Sequence, residues 1–192
     1  VLLLVKPDCQ LAIIVYALLK LGAVPVVIDP AVGFKTFLRC VSNVKPDVLV
    51  AHSLVYWIKW LFSSCFSSVN LFIATGPTPF PSVISMDSLF VDDETVLDVE
   101  KTMDRDLAAI FFTSGSTGFP KGVESLHCHM REQFKAISRL LDPHIDAVDL
   151  AVFPLSILIS PGLGRTCVLP NLGSIHPMKC RPENIIQSIH DF

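Results

Sequence analysis

The chain has 192 residues, 51% of them hydrophobic and 17% charged, and a formal net charge of −3. This balance excludes a disordered tail or a collagen-like fibre and is enough for one sizeable core. Lysine and arginine are scattered, so charge provides no electrostatic footprint for nucleic acid or an anionic membrane surface.

Val1–Val5 is a short apolar run ended by Pro7, the pattern of a strand buried on both faces. A helix follows, with Asp8 as its cap, Leu11, Ile14, Val15, Leu18 and Leu19 on one stripe, and Gly22 as its stop. Residues 23–28 form the next apolar run, closed by Asp29-Pro30, so the opening has the strand, helix, strand order of a parallel crossover. The order repeats with a helix over 34–44, a strand over 47–51, a helical stripe of Leu54, Trp57, Ile58, Leu61, Phe62, Cys65 and Phe66, and a strand over 69–74. That stripe fits a core-facing helix better than a membrane-surface face.

Residues 76–105 combine three closely spaced prolines with an acidic stretch and read as an exposed connection, without the spacing of a calcium loop. A second buried-strand signal, 107–112, runs into Thr113-Ser114-Gly115-Ser116-Thr117-Gly118-Phe119-Pro120-Lys121-Gly122. Beyond it the spacing predicts a surface helix carrying Met130, Phe134, Ile137 and Leu141, a strand over 151–153, a turn or helix start at 161–164 and a helix over 183–190. No apolar run approaches the ~18 residues of a membrane-spanning helix. The six cysteines include no CxxC pair, so they read as reduced thiols of a cytoplasmic protein, with neither a zinc site nor a disulfide framework.

The segment 113–122 has the parts of a polyphosphate cradle. Glycines admit backbone N–H groups close to phosphate oxygens, hydroxyls donate hydrogen bonds, and Lys121 supplies a mobile positive charge. A Walker P-loop fails here, because Pro120 stands where it requires glycine and Gly122 where it requires serine or threonine. The dinucleotide fingerprint and the hydrolase nucleophile elbow fail by spacing as well.

From Phe112 to Val123 the segment resembles the signature loop of the adenylate-forming superfamily: acyl-CoA synthetases, luciferases and peptide-synthetase adenylation domains. Leu18–Pro25 followed by Ile28-Asp29-Pro30 is similar to a helix-to-strand segment that these enzymes carry upstream, and His127 stands where many members have a histidine. The stretch from Phe153 to Pro170 looks most like the subgroup related to β-lactone synthetases of long-chain olefin formation. Ser160 departs from that subgroup's pattern, in which an acidic residue is expected.

The resemblance implies an α/β fold of layered, mainly parallel sheets with flanking helices, with residues 1–192 forming part of the N-terminal adenylation domain. It divides into a half over 1–75, the connection 76–105 and a phosphate-loop half over 106–192. The implied function is an ATP-dependent, AMP-forming ligase that activates a fatty or hydroxy-fatty acid as an acyl-adenylate and releases pyrophosphate, in an acid–thiol ligase style. The alternative is a non-catalytic nucleotide- or acyl-binding remnant, a pseudoenzyme. By resemblance Thr113, Ser114, Gly115, Ser116, Thr117, Gly118, Lys121 and Gly122 hold nucleotide phosphates, while His127, Phe153 and Ser156 border the acyl or nucleotide pocket. The His127-Cys128-His129 run is not assigned to a metal, because i and i+2 residues face apart on a helix. ATP with magnesium, a carboxylic acid and, for thioester-forming members, coenzyme A are the implied small molecules; nucleic acid and a transmembrane segment are not expected. The chain starts at Val1, its first methionine is Met86, and the family's later glutamate segment and catalytic lysine are absent. The expectation is therefore a segment of a longer enzyme that is inactive alone.

Overall fold

Five of the apolar runs become strands of one seven-stranded sheet. The computed structural model describes residues 1–29, 32–78, 80–90, 98–113, 120–141, 148–152, 156–171 and 181–192, without the side chain of Trp60. These divide into two compact units, one of Val1–Val5 with Tyr16–Cys128 and the other of Lys6–Val15 with His129–Phe192.

In the first unit the strands are β1 (Leu2–Leu4), β2 (Val26–Ile28), β3 (Val48–His52), β4 (Leu71–Thr75), β5 (Ile84–Ser85), β6 (Leu107–Thr113) and β7 (Lys121–Leu126), in the spatial order β5-β4-β3-β1-β2-β6-β7. Every pairing from β5 to β6 is parallel, and β7 alone runs antiparallel, against β6. The fold is thus α/β and mainly parallel. The crossover helices are α1 (Cys9–Lys20), whose first turns count with the second unit, α2 (Phe34–Val44) and α3 (Val55–Leu61). Leu2, Val26, Ile28, Val41, Leu49, Ala51, Tyr56 and Phe66 form the centre of the core.

Local chemistry sets the helix ends as the sequence reading anticipates. The Asp8 carboxylate accepts the backbone N–H groups of Gln10 and Leu11 at 3.0 and 3.3 Å, capping α1. Gly22 leaves α1 at φ +65°, and the Glu100 N–H donates to the Lys20 carbonyl at 2.8 Å. The connection over 76–105 is therefore not all loose surface: its acidic end closes α1, and Val83 and Met86 are buried at β5 and the following 3₁₀ turn. The expected break between residues 75 and 106 does not divide the chain, because β6 and β7 extend the first sheet beside β2.

The aromatic stripe is a correction. The segment from Leu54 is not one long helix but α3, a break at Phe62 (φ −123°) and a 3₁₀ turn over Ser63–Phe66. Its inward residue is Tyr56, which is fully buried; Leu54, Trp57, Leu61 and Phe62 are exposed. The Tyr56 hydroxyl donates to the Ile73 carbonyl of β4 at 2.6 Å and lies 3.2 Å from the Leu49 carbonyl of β3. A buried phenol needs such a partner, and the strand edges supply it only when this face turns inward.

The second unit pairs β8 (Val148–Leu150) in parallel with β9 (Thr166–Val168) and adds most of α4 (His127–Leu140), α5 (Ser156–Gly162) and α6 (Pro182–Asp191). The expected strand over 151–153 falls earlier, at β8; Pro161-Gly162 ends α5, and of the two alternatives for 161–164 the turn is found, the Gly164 N–H donating to the Pro161 carbonyl at 3.0 Å, rather than a helix start. Arg165 Nη2 meets Asp149 Oδ1 at 3.0 Å, while Asp149 Oδ2 and Arg165 Nε are buried without a hydrogen-bond partner among the described residues.

Two stability measurements test this account. A Cβ at Gly22 would sit 2.8 Å from Glu100 Cγ on a left-handed backbone, so Gly22→Ala should lower the urea unfolding free energy by about 1–2 kcal/mol. Burial pushes the Tyr56 phenol above its ordinary value, its backbone hydrogen bonds offsetting only part of this. The stabilisation it provides is complete below the unfolded value of about pH 10 and declines as pH rises beyond it, because the unfolded phenol ionises first. Tyr56→Phe should flatten that alkaline decline and cost about 1 kcal/mol at neutral pH.

Candidate phosphate-loop site

The carboxyl ends of parallel strands are where open α/β sheets bind ligands, since loops and helix starts converge there. In the first unit that edge carries the end of β6 at Thr113 and the end of β2 at Ile28. Ile28 pairs with Phe112, so Asp29 stands one residue beyond this pair, at the register position beside Thr113. Sequence reasoning used Asp29 only as a strand stop and as part of a resemblance; its place at the rim emerges from the β2–β6 pairing.

Thr113 is also the register partner of Lys121 across the antiparallel β6–β7 pair. Directly opposed residues in such a pair project from the same face of a sheet. One hydroxyl and one cation therefore share a face where the chain leaves β6 and re-enters the sheet at β7. Ser114, Gly115, Ser116, Thr117 and Gly118 lie outside the described residues. Lys121 is exposed and, among the described residues, makes no ion pair.

Gly122 has a specific steric reason. Its φ is not positive, yet a Cβ there would approach Ile110 Cγ2 and Phe112 Cζ at 3.3 Å each. The Phe112 ring lies over the missing side chain, as aromatic residues do when they cover a glycine on a neighbouring strand. The sequence reading did not anticipate β7 at all. Its run Lys121-Gly122-Val123-Glu124-Ser125-Leu126 mixes charge and glycine because most of it is an exposed sheet edge, with only Ser125 buried.

His127 begins α4 directly after β7, with its N–H donating to the Asp106 carbonyl at 3.0 Å. The neighbouring Cys128 N–H donates to the Asp104 carbonyl at 2.9 Å, so residues 104–106 hold the helix start. Five strand steps separate His127's neighbour Leu126 from Lys121, about 17 Å by strand rise. The structure thus places His127 at the end of β7 away from Thr113 and Lys121. Ser156 belongs to the second unit, where it opens α5 half-buried and its carbonyl lies 4.0 Å from Cys167 Sγ. Ser160, on the same helix, is buried; burial pushes the Cys167 thiol up while a hydrogen bond with Ser160 pulls it partly back. Phe153 lies outside the described residues. Among the described residues no three His, Cys, Asp or Glu side chains gather as a metal site.

The sheet and the strand context of the loop define the N-terminal architecture of an adenylate-forming enzyme. The chain belongs to the AMP-binding enzyme family, whose model matches residues 1–180. It is 30% identical, over 98% of its own length and 34% of the relative's, to an olefin beta-lactone synthetase of Stenotrophomonas maltophilia. Over 59% of the chain and 17% of the relative it is 30% identical to a long-chain-fatty-acid–CoA ligase 2 of Schizosaccharomyces pombe. Among solved structures, the anthranilate CoA ligase AuaEII in complex with anthranoyl-AMP superposes with a TM-score of 0.71 at 18% identity, over 87% of this chain and 34% of that one. ATP-bound MatB from Rhodopseudomonas palustris gives 0.72 at 17% identity, over 97% and 36%. The chain thus spans about a third of the length of the curated relatives that match nearly all of it.

The steric role of Gly122 is open to test. Gly122→Val should lower stability by about 1–3 kcal/mol, as overpacked sites do, with Gly122→Ala falling below that. Far-UV circular dichroism with urea titration reads both.

Proposed function

We propose that these residues form the phosphate-binding part of an ATP-dependent, AMP-forming ligase that activates a fatty or hydroxy-fatty carboxylic acid as an acyl-adenylate. The observation that carries this reading is the opposition of Thr113 and Lys121 at the two ends of the hydroxyl- and glycine-rich segment. The substrate carboxylate attacks the α-phosphorus of ATP, an oxygen–phosphorus bond forms, and the bond to the β-phosphate oxygen breaks to release pyrophosphate. Thr113, Ser114, Ser116 and Thr117 donate to the β- and γ-phosphates, and Gly115 and Gly118 let the backbone approach. Lys121 neutralises the charge that gathers on the leaving pyrophosphate. Gly122 keeps the Lys121 strand close against Phe112. Magnesium usually accompanies ATP in such chemistry and spreads phosphate charge; no described residue is assigned to it, and no step here runs through it.

The names of the relatives support an acyl substrate and offer two fates for the adenylate. Attack by an internal hydroxyl closes a lactone, and attack by the coenzyme A thiol gives a thioester. The match to the olefin beta-lactone synthetase over 98% of the chain favours the lactone over the thioester. His127, Phe153 and Ser156 remain proposed pocket residues. The reading belongs to the whole ligase in a cytoplasmic setting.

The test is ATP–pyrophosphate exchange by the whole ligase that contains these residues, with fatty and 3-hydroxy fatty acids. Lys121→Ala should reduce kcat/KM by about 10²-fold or more, the scale set by removal of one preorganised donor. An unchanged rate within about twofold would remove Lys121 from the role. Absence of exchange by the wild-type whole ligase with every acid would favour a non-catalytic nucleotide- or acyl-binding protein.

A further inference from the structure

The pairings of the first sheet align one row of residues at its carboxyl rim. Thr113 opposes Lys121 across β6 and β7, and the parallel β2–β6 register, carried one residue past Ile28 and Phe112, sets Asp29 beside Thr113. Register neighbours project from the same face of a sheet. Burial follows the same alternation, with Val26 and Ile28 buried and Val27 and Asp29 exposed. The row is therefore Asp29, Thr113, Lys121: a carboxylate and an ammonium with one hydroxyl between them.

The neighbours of this row single out Asp29. On its other side the β1–β2 register brings Val5, which is apolar, and Glu124 of β7 opposes Ile110 and so belongs to the other face. The backbone of Asp29 is held from both directions, by the β2 strand before it and by the Val32 N–H, which donates to its carbonyl at 3.2 Å. Lys121 carries its charge on a flexible four-carbon stem. It is exposed and makes no ion pair among the described residues. Two strand spacings, about 10 Å, separate the backbones of the two residues, a gap that the extended lysine stem covers in large part. A polyanion seated on this face is attracted by Lys121 and repelled by Asp29, so the carboxylate and the anion compete for one cation.

We propose that Asp29 is a positioning residue that acts through Lys121. It draws the ammonium over Thr113 when the rim is empty, and after the adenylate has formed it competes with pyrophosphate for that ammonium, which speeds release of the product. This rests on the phosphate-binding role proposed above for Thr113 and Lys121. No bond forms or breaks in the exchange; one cation passes between two anionic partners.

The experiment measures pyrophosphate inhibition of adenylate formation, with kcat and the KM for ATP, in the whole ligase that contains these residues. Asp29→Asn keeps an acceptor oxygen for the turn after β2 and removes only the charge. It should tighten pyrophosphate inhibition about two- to fivefold, the scale of an exposed ion pair, and lower kcat and the KM for ATP together. A purely structural defect would not tighten the hold on pyrophosphate. Asp29→Glu should behave as the wild type, and Asp29→Ser, also neutral, gives a second reading if the amide disturbs the turn. In a Lys121→Ala background the Asp29→Asn change should leave pyrophosphate inhibition unaltered. Unchanged inhibition in both neutral variants while Lys121→Ala slows exchange would overturn the proposal and leave the role of Lys121 standing. An equal shift with and without Lys121 would overturn it as well, and a Lys121→Ala enzyme with wild-type exchange would remove both roles at once.

Discussion

The parallel pairing of β2 with β6 is the constraint on which the first unit depends. Val26, Val27 and Ile28 pair with Ile110, Phe111 and Phe112, residues more than eighty positions away. Nothing local assembles them; the pairing takes Val26 and Ile28 out of water on one face of β2, while Val27 stays exposed on the other. Once they pair, the end of β6 falls at the same edge as the end of β2. Thr113 then meets the rim that Asp29 occupies, and the antiparallel return through β7 brings Lys121 opposite Thr113. The candidate site is thus a product of long-range strand order, although every polar group assigned to phosphate belongs to one continuous stretch of sequence.

Much of this was legible beforehand for a physical reason. Strands buried on two faces are short unbroken apolar runs, so β1, β2, β3, β4 and β6 stand out, and α2 was anticipated at its observed bounds of Phe34–Val44. Asp8 and Gly22 marked the ends of α1 because capping is local chemistry. The edge strands β5 and β7 were not legible. An edge is half solvated, and its residues obey the neighbour they lie against: Gly122 answers to Phe112, a relation no spacing rule contains. The segment proposed to hold phosphate stands out by its residue types, while the separation of His127 from Lys121 by the length of β7 required the register.

The α3 stripe failed for an instructive reason. Helical periodicity reports that one face of a helix differs from the other, not which face is inside. Here both faces are apolar, and one hydroxyl with two strand carbonyls in reach breaks the tie. The second unit illustrates a related limit. Its three-residue strands β8 and β9 carry little periodic signal, and the Asp149–Arg165 pair beside them joins residues whose relation is visible only once those strands are aligned.

The buried phenol of Tyr56 has a consequence outside the core. Because its hydroxyl is tied to the Leu49 and Ile73 carbonyls, it fixes which side of α3 meets water from a position that barely touches solvent. A substitution there would alter how readily the molecule sticks to other surfaces, so a change made in the interior would also be felt in adsorption and clumping.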